Sequence, residues 1–175
     1  MGIRKIAAVL ALASLLPAAG ALAQEESTNR VAAKTDWSVF VDEDPKECWG
    51  VTAPKETVNT RDGRVVAVRR GDILLFVFFR PEAGVSGQVT FTGGYPFADG
   101  STVNMNIDGT EFELFTEGEW AWPASAADDA KIVTAMKRGA SAILTARSSR
   151  GTTTKDTFSL LGFTAAMEEA EARCQ

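Results

Sequence analysis

The sequence predicts a mainly β domain, a two-sheet antiparallel sandwich with two short helices, the second of them C-terminal. Three stretches carry the prediction. The run from Ile73 to Phe79 is the most apolar in the chain after the N-terminal segment, and Gly71-Asp72 and Arg80-Pro81 bracket it. Seven β-branched and aromatic-rich residues suit a strand, whereas a membrane span needs about 20. Val103 to Leu114 alternates around Asp108-Gly109, a two-residue hairpin signal. After Trp122 the apolar period changes from two to helical spacing.

The first residues are a targeting signal rather than part of the fold. Arg4 and Lys5 form a positive start, Ile6 to Leu16 is apolar, Pro17 ends it, and Ala21-Leu22-Ala23 is a small-x-small cleavage signal. The apolar run is too short, and its flanks are wrong, for a buried or membrane helix. Residues 1–23 therefore read as a signal peptide cut before Gln24. No later segment is long enough to span a bilayer. Residues 24–35, polar and alanine-rich, read as a flexible leader, and residues 36–175 as the folded domain.

Order is expected to begin at Trp37-Ser38-Val39-Phe40-Val41, with Trp37, Val39 and Val41 on one face. Asp42-Glu43-Asp44-Pro45 turns the chain into a second strand from Glu47 to Ala53. A polar loop follows, then a strand from Arg64 to Arg69. Arg70-Gly71-Asp72 leads into the central strand from Ile73 to Phe79. That strand does not alternate, so both its faces call for cover, one by the core and the other by a helix, a loop or a second subunit. If one face is left bare, a homodimer is expected. Gln88 to Thr92 alternates with Val89 and Phe91 inward. Gly93-Gly94-Tyr95-Pro96-Phe97 interrupts it, since two glycines and a proline do not suit a strand interior.

In the Asp108-Gly109 hairpin Ile107 should face Thr110, Met105 Phe112, and Val103 Leu114. That puts the apolar residues on one face and Asn104, Asn106, Glu111 and Glu113 on the other. A turn at Glu117-Gly118 gives a short strand through Trp120 and Trp122. Ser125 with Asp128 three residues on is a capping box for a helix from Ala126 to Arg138, ended by Gly139. Strands from Ala140 to Arg147 and Thr152 to Leu161 follow. Thr164 is expected to cap a last helix whose stripe is Phe163, Met167, Ala170 and Cys174.

The whole chain has 175 residues, which favours one domain. Removing Arg4 and Lys5 with the signal leaves 16 basic residues against 23 acidic ones, a net charge of −7. Such a domain repels nucleic acid and anionic lipid. There is no histidine, so the commonest general base and metal ligand are both missing. Two cysteines without histidine make a poor zinc site, and no cofactor is implied. Cys48 and Cys174 in an exported chain read as one disulfide, with free thiols or an intermolecular bridge as the alternatives.

Several boxes then occur in a recognisable order. Trp37-Ser38-Val39 and Cys48 come first, then Phe79-Arg80-Pro81 and Gly94-Tyr95-Pro96-Phe97. Val103 to Gly109 and Ala121-Trp122 follow, then Ala135-Met136-Lys137-Arg138-Gly139. Ser148 to Thr152, Asp156 to Leu160, Gly162-Phe163 and Cys174 close the series. From about Trp37 to Cys174 this resembles the invasion-associated locus B family of alphaproteobacteria. The resemblance implies an immunoglobulin-like sandwich exported to the periplasm or cell surface. In pathogenic members it implies a link to host-cell entry. It supplies no catalytic residues.

Four groups of residues invite a chemical reading. Arg70-Gly71-Asp72 is the tripeptide of integrin ligands, but it is also a tight turn running straight into a buried strand. Ser149, or a neighbouring hydroxyl, with Lys155 could act as nucleophile and base without histidine; a polar turn and a strand face is the favoured reading, since threonine is a good strand former. Glu111 and Glu113 could form a carboxylate pair, although alternation already places them on the solvated side of a hairpin. Gly94, Tyr95, Pro96 and Phe97 with Trp120 and Trp122 form the best candidate binding surface, if exposed together; core filling is the competing role.

The leading expectation is a non-catalytic exported protein that binds another envelope or host protein. The alternatives are a histidine-free hydrolase and a periplasmic assembly or stress factor that pairs through a sheet edge.

Overall fold

The computed structural model describes residues 29–175. The expected signal peptide and its cleavage before Gln24 lie outside the described residues. Twelve strands and two helices follow one another as β1 (Arg30–Lys34), β2 (Trp37–Glu43), β3 (Lys46–Thr52), β4 (Glu56–Arg61), β5 (Arg64–Val65), β6 (Leu74–Arg80), β7 (Val85–Thr92), β8 (Thr102–Ile107), β9 (Thr110–Glu117), β10 (Trp120–Trp122), α1 (Ala126–Arg138), β11 (Ser141–Arg147), β12 (Thr153–Ser159) and α2 (Phe163–Arg173).

The mainly β class and the two helices are as the sequence predicts. The two layers, however, are halves of one sheet in the order β1-β2-β3-β6-β7-β10-β9-β8-β11-β12-β4-β5. β9 explains the continuity. Its first part bonds β8, and its last three residues bond β10. The ladder thus turns the corner without breaking. The sheet curls until Phe91 on β7 meets Phe158 on β12 edge to face at 6.1 Å. Trp37 Nε1 at the start of β2 donates to Ser159 O at the end of β12, at 3.1 Å. Trp37, Phe91, Phe158 and Phe163 are all fully buried between the halves.

Local chemistry works as read at the hairpin. Ile107 pairs Thr110, Met105 pairs Phe112 and Val103 pairs Leu114. Asp108 and Gly109 both have positive φ, 46° and 93°, as a tight hairpin turn demands. Leu75, Val77 and Phe79 of β6 point inward and are buried, while Phe76 and Phe78 are half-buried on the other face. At α1, Ser125 Oγ accepts from the Asp128 amide and donates to Asp128 Oδ2. On α2 the stripe Phe163, Met167, Ala170 and Cys174 is buried. Its last member is bonded to Cys48 on β3, closing the one disulfide.

Four expectations are corrected. Residues 30–34, placed in a flexible leader, form β1 against β2, because β2 would otherwise be a bare edge. Glu56–Arg61, read as polar loop, is β4. β12 offers it a ladder, and its threonines and Val58 are good strand formers. The strand expected from Arg64 to Arg69 ends at Val65, and the chain from there to Arg70 is irregular. Thr164 does not cap α2. Gly162 does, in the left-handed region at φ 88°, where an added Cβ would lie 1.9 Å from Lys34 O. Thr164 Oγ1 instead donates to Lys137 O.

Two measurements follow from this packing. The disulfide spans 126 residues. Cys48→Ser with Cys174→Ser is expected to lower unfolding free energy by about 4–5 kcal/mol in the chain-entropy picture, read from urea midpoints. Asp129 is a buried carboxylate on α1 that accepts the Val89 amide at 2.8 Å. Burial pushes its carboxyl above the usual range, against the pull of that amide and helped slightly by Asp128. The folded state therefore holds this proton more tightly than the unfolded chain. Its contribution is full at low pH and is lost as pH rises through the raised value. Asp129→Asn keeps the acceptor without the charge. Relative to the parent it is expected to gain stability as pH rises from the ordinary carboxylate range through the raised value.

Candidate functional site

The candidate binding surface divides. Gly94, Tyr95 and Pro96 lie at one cavity, Phe97 is buried in the core, and Trp120 and Trp122 face outward on β10. The division follows from β10. Its middle residue, Ala121, points inward, so the tryptophans on either side must point out.

The two tryptophans lie on a larger aromatic surface. Phe40 on β2 stacks on Trp49 on β3 at 5.5 Å and 8°. Trp49 meets Phe78 on β6 at 6.0 Å, Phe78 stacks on Phe76 at 5.3 Å, and Phe76 meets Trp120 at 6.1 Å. Pairing builds this row, because Phe40 is opposite Trp49 and Trp49 opposite Phe78. Trp120 is 44% exposed and Phe115, opposite Trp122, 47%. Arg80 lies over the Phe78 ring at 4.4 Å and is held by Glu47 and Gln88. Among the described residues, no helix or loop covers this face, which carries its aromatic neighbours and Arg80. The sequence signal for it was the lack of alternation from Ile73 to Phe79. Phe40 and Trp49 gave no signal, since nothing local shows which strands pair.

Around Tyr95 the chemistry is polar. Its hydroxyl shares a hydrogen bond with Thr154 Oγ1 at 2.5 Å, and its ring stands 5.0 Å from the Arg70 guanidinium. Burial pushes the phenol upward, above its ordinary range. Arg70 is 94% buried by its side chain and makes a bidentate pair with Asp156, at 2.7 and 2.6 Å. It also donates to Gly93 O and Asn59 Oδ1. Gly71 donates to Gly94 O at 2.8 Å, and a Cβ on Gly94 would come within 2.6 Å of the Gly71 backbone. The arginine of Arg70-Gly71-Asp72 is therefore spent inside the protein, so the tripeptide does not present the cation an integrin ligand displays.

The other candidate groups do not assemble. Ser149 faces the cavity, whereas Lys155 is on the outward side of β12, between inward-facing Thr154 and Asp156. Glu111 and Glu113 are exposed on β9, and Glu113 accepts from Thr102 Oγ1 across the hairpin. Among the described residues no group of three or more His, Cys, Asp or Glu could hold a metal ion. No helix among them is long and apolar enough to cross a membrane.

The buried pair gives a direct test. Asp156→Ala leaves the Arg70 charge unpaired and is expected to cost about 3–5 kcal/mol in urea unfolding. Arg70→Leu with Asp156→Leu is expected to cost much less than the two single changes together, as a double-mutant cycle would show.

The model of the family described as invasion associated locus B (IalB) protein matches residues 37–171. Invasion associated protein B from Bartonella henselae, in its crystal structure, superposes with a TM-score of 0.55 at 16% identity. The match covers 81% of this chain and 95% of that one, and it shows a shared fold. No curated protein sequence matches. With nearly all of the ordered domain inside that match, from Trp37 on the first buried strand into α2, the chain belongs to the invasion associated locus B family.

Proposed function

We propose that the protein is an exported, non-catalytic binding protein of the periplasm or cell surface. It engages another envelope or host protein through the outer aromatic face of β2, β3, β6 and β10. One observation carries this reading, the uninterrupted ring-to-ring row Phe40–Trp49–Phe78–Phe76–Trp120 on a solvent-facing sheet. The inner face of the same strands already fills the core, so the row adds apolar surface that folding does not require. Its shape favours a protein partner. The face is a broad sheet with a charged rim at Glu47 and Arg80, which resembles an interface centre ringed by polar groups. The Bartonella protein's name associates it with invasion, and family membership carries that association to this chain as part of the proposal.

A photo-crosslinking residue in place of Trp120, introduced in intact cells, tests the proposal. The expected result is an adduct to one partner that is missing when the probe replaces Lys155 on the far half of the sheet. Purified partner should then bind the mature domain at least about ten-fold more weakly after Phe78→Ser with Trp49→Ser, since central aromatics dominate interfaces. An adduct to a second copy of the chain would assign the face to a homodimer instead. Equal labelling from both positions would sink the proposal.

A further inference from the structure

The cavity beside Tyr95 gathers four arginines in a protein whose mature chain carries net negative charge. Arg61, Arg69, Arg70 and Arg150 all line it, in a volume of about 450 Å³. Their sources are scattered. Arg61 ends β4, Arg69 and Arg70 lie in the irregular segment between β5 and β6, and Arg150 lies in the turn between β11 and β12. Arg70 is neutralised by Asp156 and forms the fixed floor. Arg61 gives one nitrogen to Thr152 Oγ1 at 2.7 Å and keeps its other donors. Among the described residues, the side chains of Arg69 and Arg150 make no hydrogen bond or ion pair, and both are exposed.

Hydroxyls add further donors. The Ser148 Oγ accepts the Thr152 amide and retains its own proton. Tyr95 and Thr154 share one hydrogen bond between two hydroxyls, so one of those protons is also free. Ser149 faces the same space. The single carboxylate in the lining is Glu119, in the turn before β10. With Asp156 below and Glu119 in the wall, the cavity still carries two positive charges in excess. This local excess is opposite in sign to the net charge of the chain.

We propose that this cavity binds a phosphate monoester carried on a sugar-sized polyhydroxyl body. A phosphoryl group offers several charged oxygens to a set of donors that has almost no acceptors, and arginine forks match it in geometry. The volume is that of a small-molecule site, larger than a bare phosphate needs. Glu119 and the Tyr95 ring face the remainder of the ligand: the carboxylate accepts from sugar hydroxyls, and the ring presents an apolar wall. The same headgroup chemistry occurs in soluble sugar phosphates and in phosphorylated glycolipids.

Titration calorimetry on the mature disulfide-bonded protein tests it, with glucosamine 1-phosphate, glucosamine and inorganic phosphate as ligands. The sugar phosphate is expected to bind with a Kd below about 1 mM and more weakly as salt is raised. Glucosamine should give no heat above dilution. Arg69→Gln with Arg150→Gln should weaken binding at least about ten-fold while the urea midpoint stays at the parent value, since neither side chain holds the fold. Vesicles bearing a phosphorylated glycolipid, compared with phosphatidylcholine vesicles, separate the sources. Retention on the former assigns a membrane ligand, and binding of the soluble ester without retention assigns a soluble one. Inorganic phosphate binding as tightly as the ester would overturn the sugar-sized body. Affinity unchanged in the double variant, or equal for glucosamine and its phosphate, would overturn the site.

Discussion

Asp156 occupies an inward position of β12 between Thr154 and Phe158, with no exposed surface at all. A carboxylate there is costly to bury unless it is met by a charge and by further hydrogen bonds. Arg70 supplies both, and its remaining donors reach Asn59 on β4 and Gly93 after β7. One guanidinium thereby joins the far strand of the curled sheet to the loop leaving its other half. This also accounts for the irregular path after β5. Had residues 66–70 continued as a strand, Arg70 would lie along a ladder instead of reaching across to β12. The ion pair, the Gly71–Gly94 contact and the Tyr95–Thr154 hydrogen bond are then one packed unit.

The opposite side of the core is closed by different means. α2 lies on β1, β2 and β3, with Met167 so near Gly50 that a Cβ there would fall 2.2 Å from its methyl. The disulfide holds the end of that helix to β3. α1 lies along β7, tied by Asp129 to the Val89 amide. Both helices are thus used on the inner face. Nothing in the described chain remains to cover the outer face of the same strands, which is why Phe76, Phe78 and Trp120 stack on one another instead.

What the sequence made legible was local. The Asp108-Gly109 hairpin, the Ser125 cap and the helical stripe ending in Cys174 each depend on residues a few positions apart, and each is found where expected. What it hid depends on pairing between distant strands. β4 is polar on both faces and gains its place only because β12 bonds it. Arg64 to Arg69 is rich in valine like a strand, yet Arg70 is drawn inward to a partner 86 residues away. The candidate surface of Gly94, Tyr95, Pro96, Phe97, Trp120 and Trp122 was one group in composition and three in space, with Phe97 in the core. β10 turns its tryptophans outward, whereas the preceding box folds over the polar pocket. Phe40 and Trp49 became part of a surface only through the order β2-β3-β6, which no local pattern encodes.

Glu119 and Trp120 are consecutive, yet the first faces the arginine cavity and the second the aromatic row. The two surfaces therefore meet at the turn before β10, with opposite character on either side. Donors crowd one side, and polarisable rings cover the other. Ser149 and Lys155 are not brought together. The hydroxyls in the cavity face cations, and Lys155 stands on the other face of its strand. Charged donors recognise through oriented hydrogen bonds, and aromatic area recognises through desolvated contact. The aromatic row sits on strands whose inner faces are packed in the core, which lowers the ordering cost of engaging a ligand there.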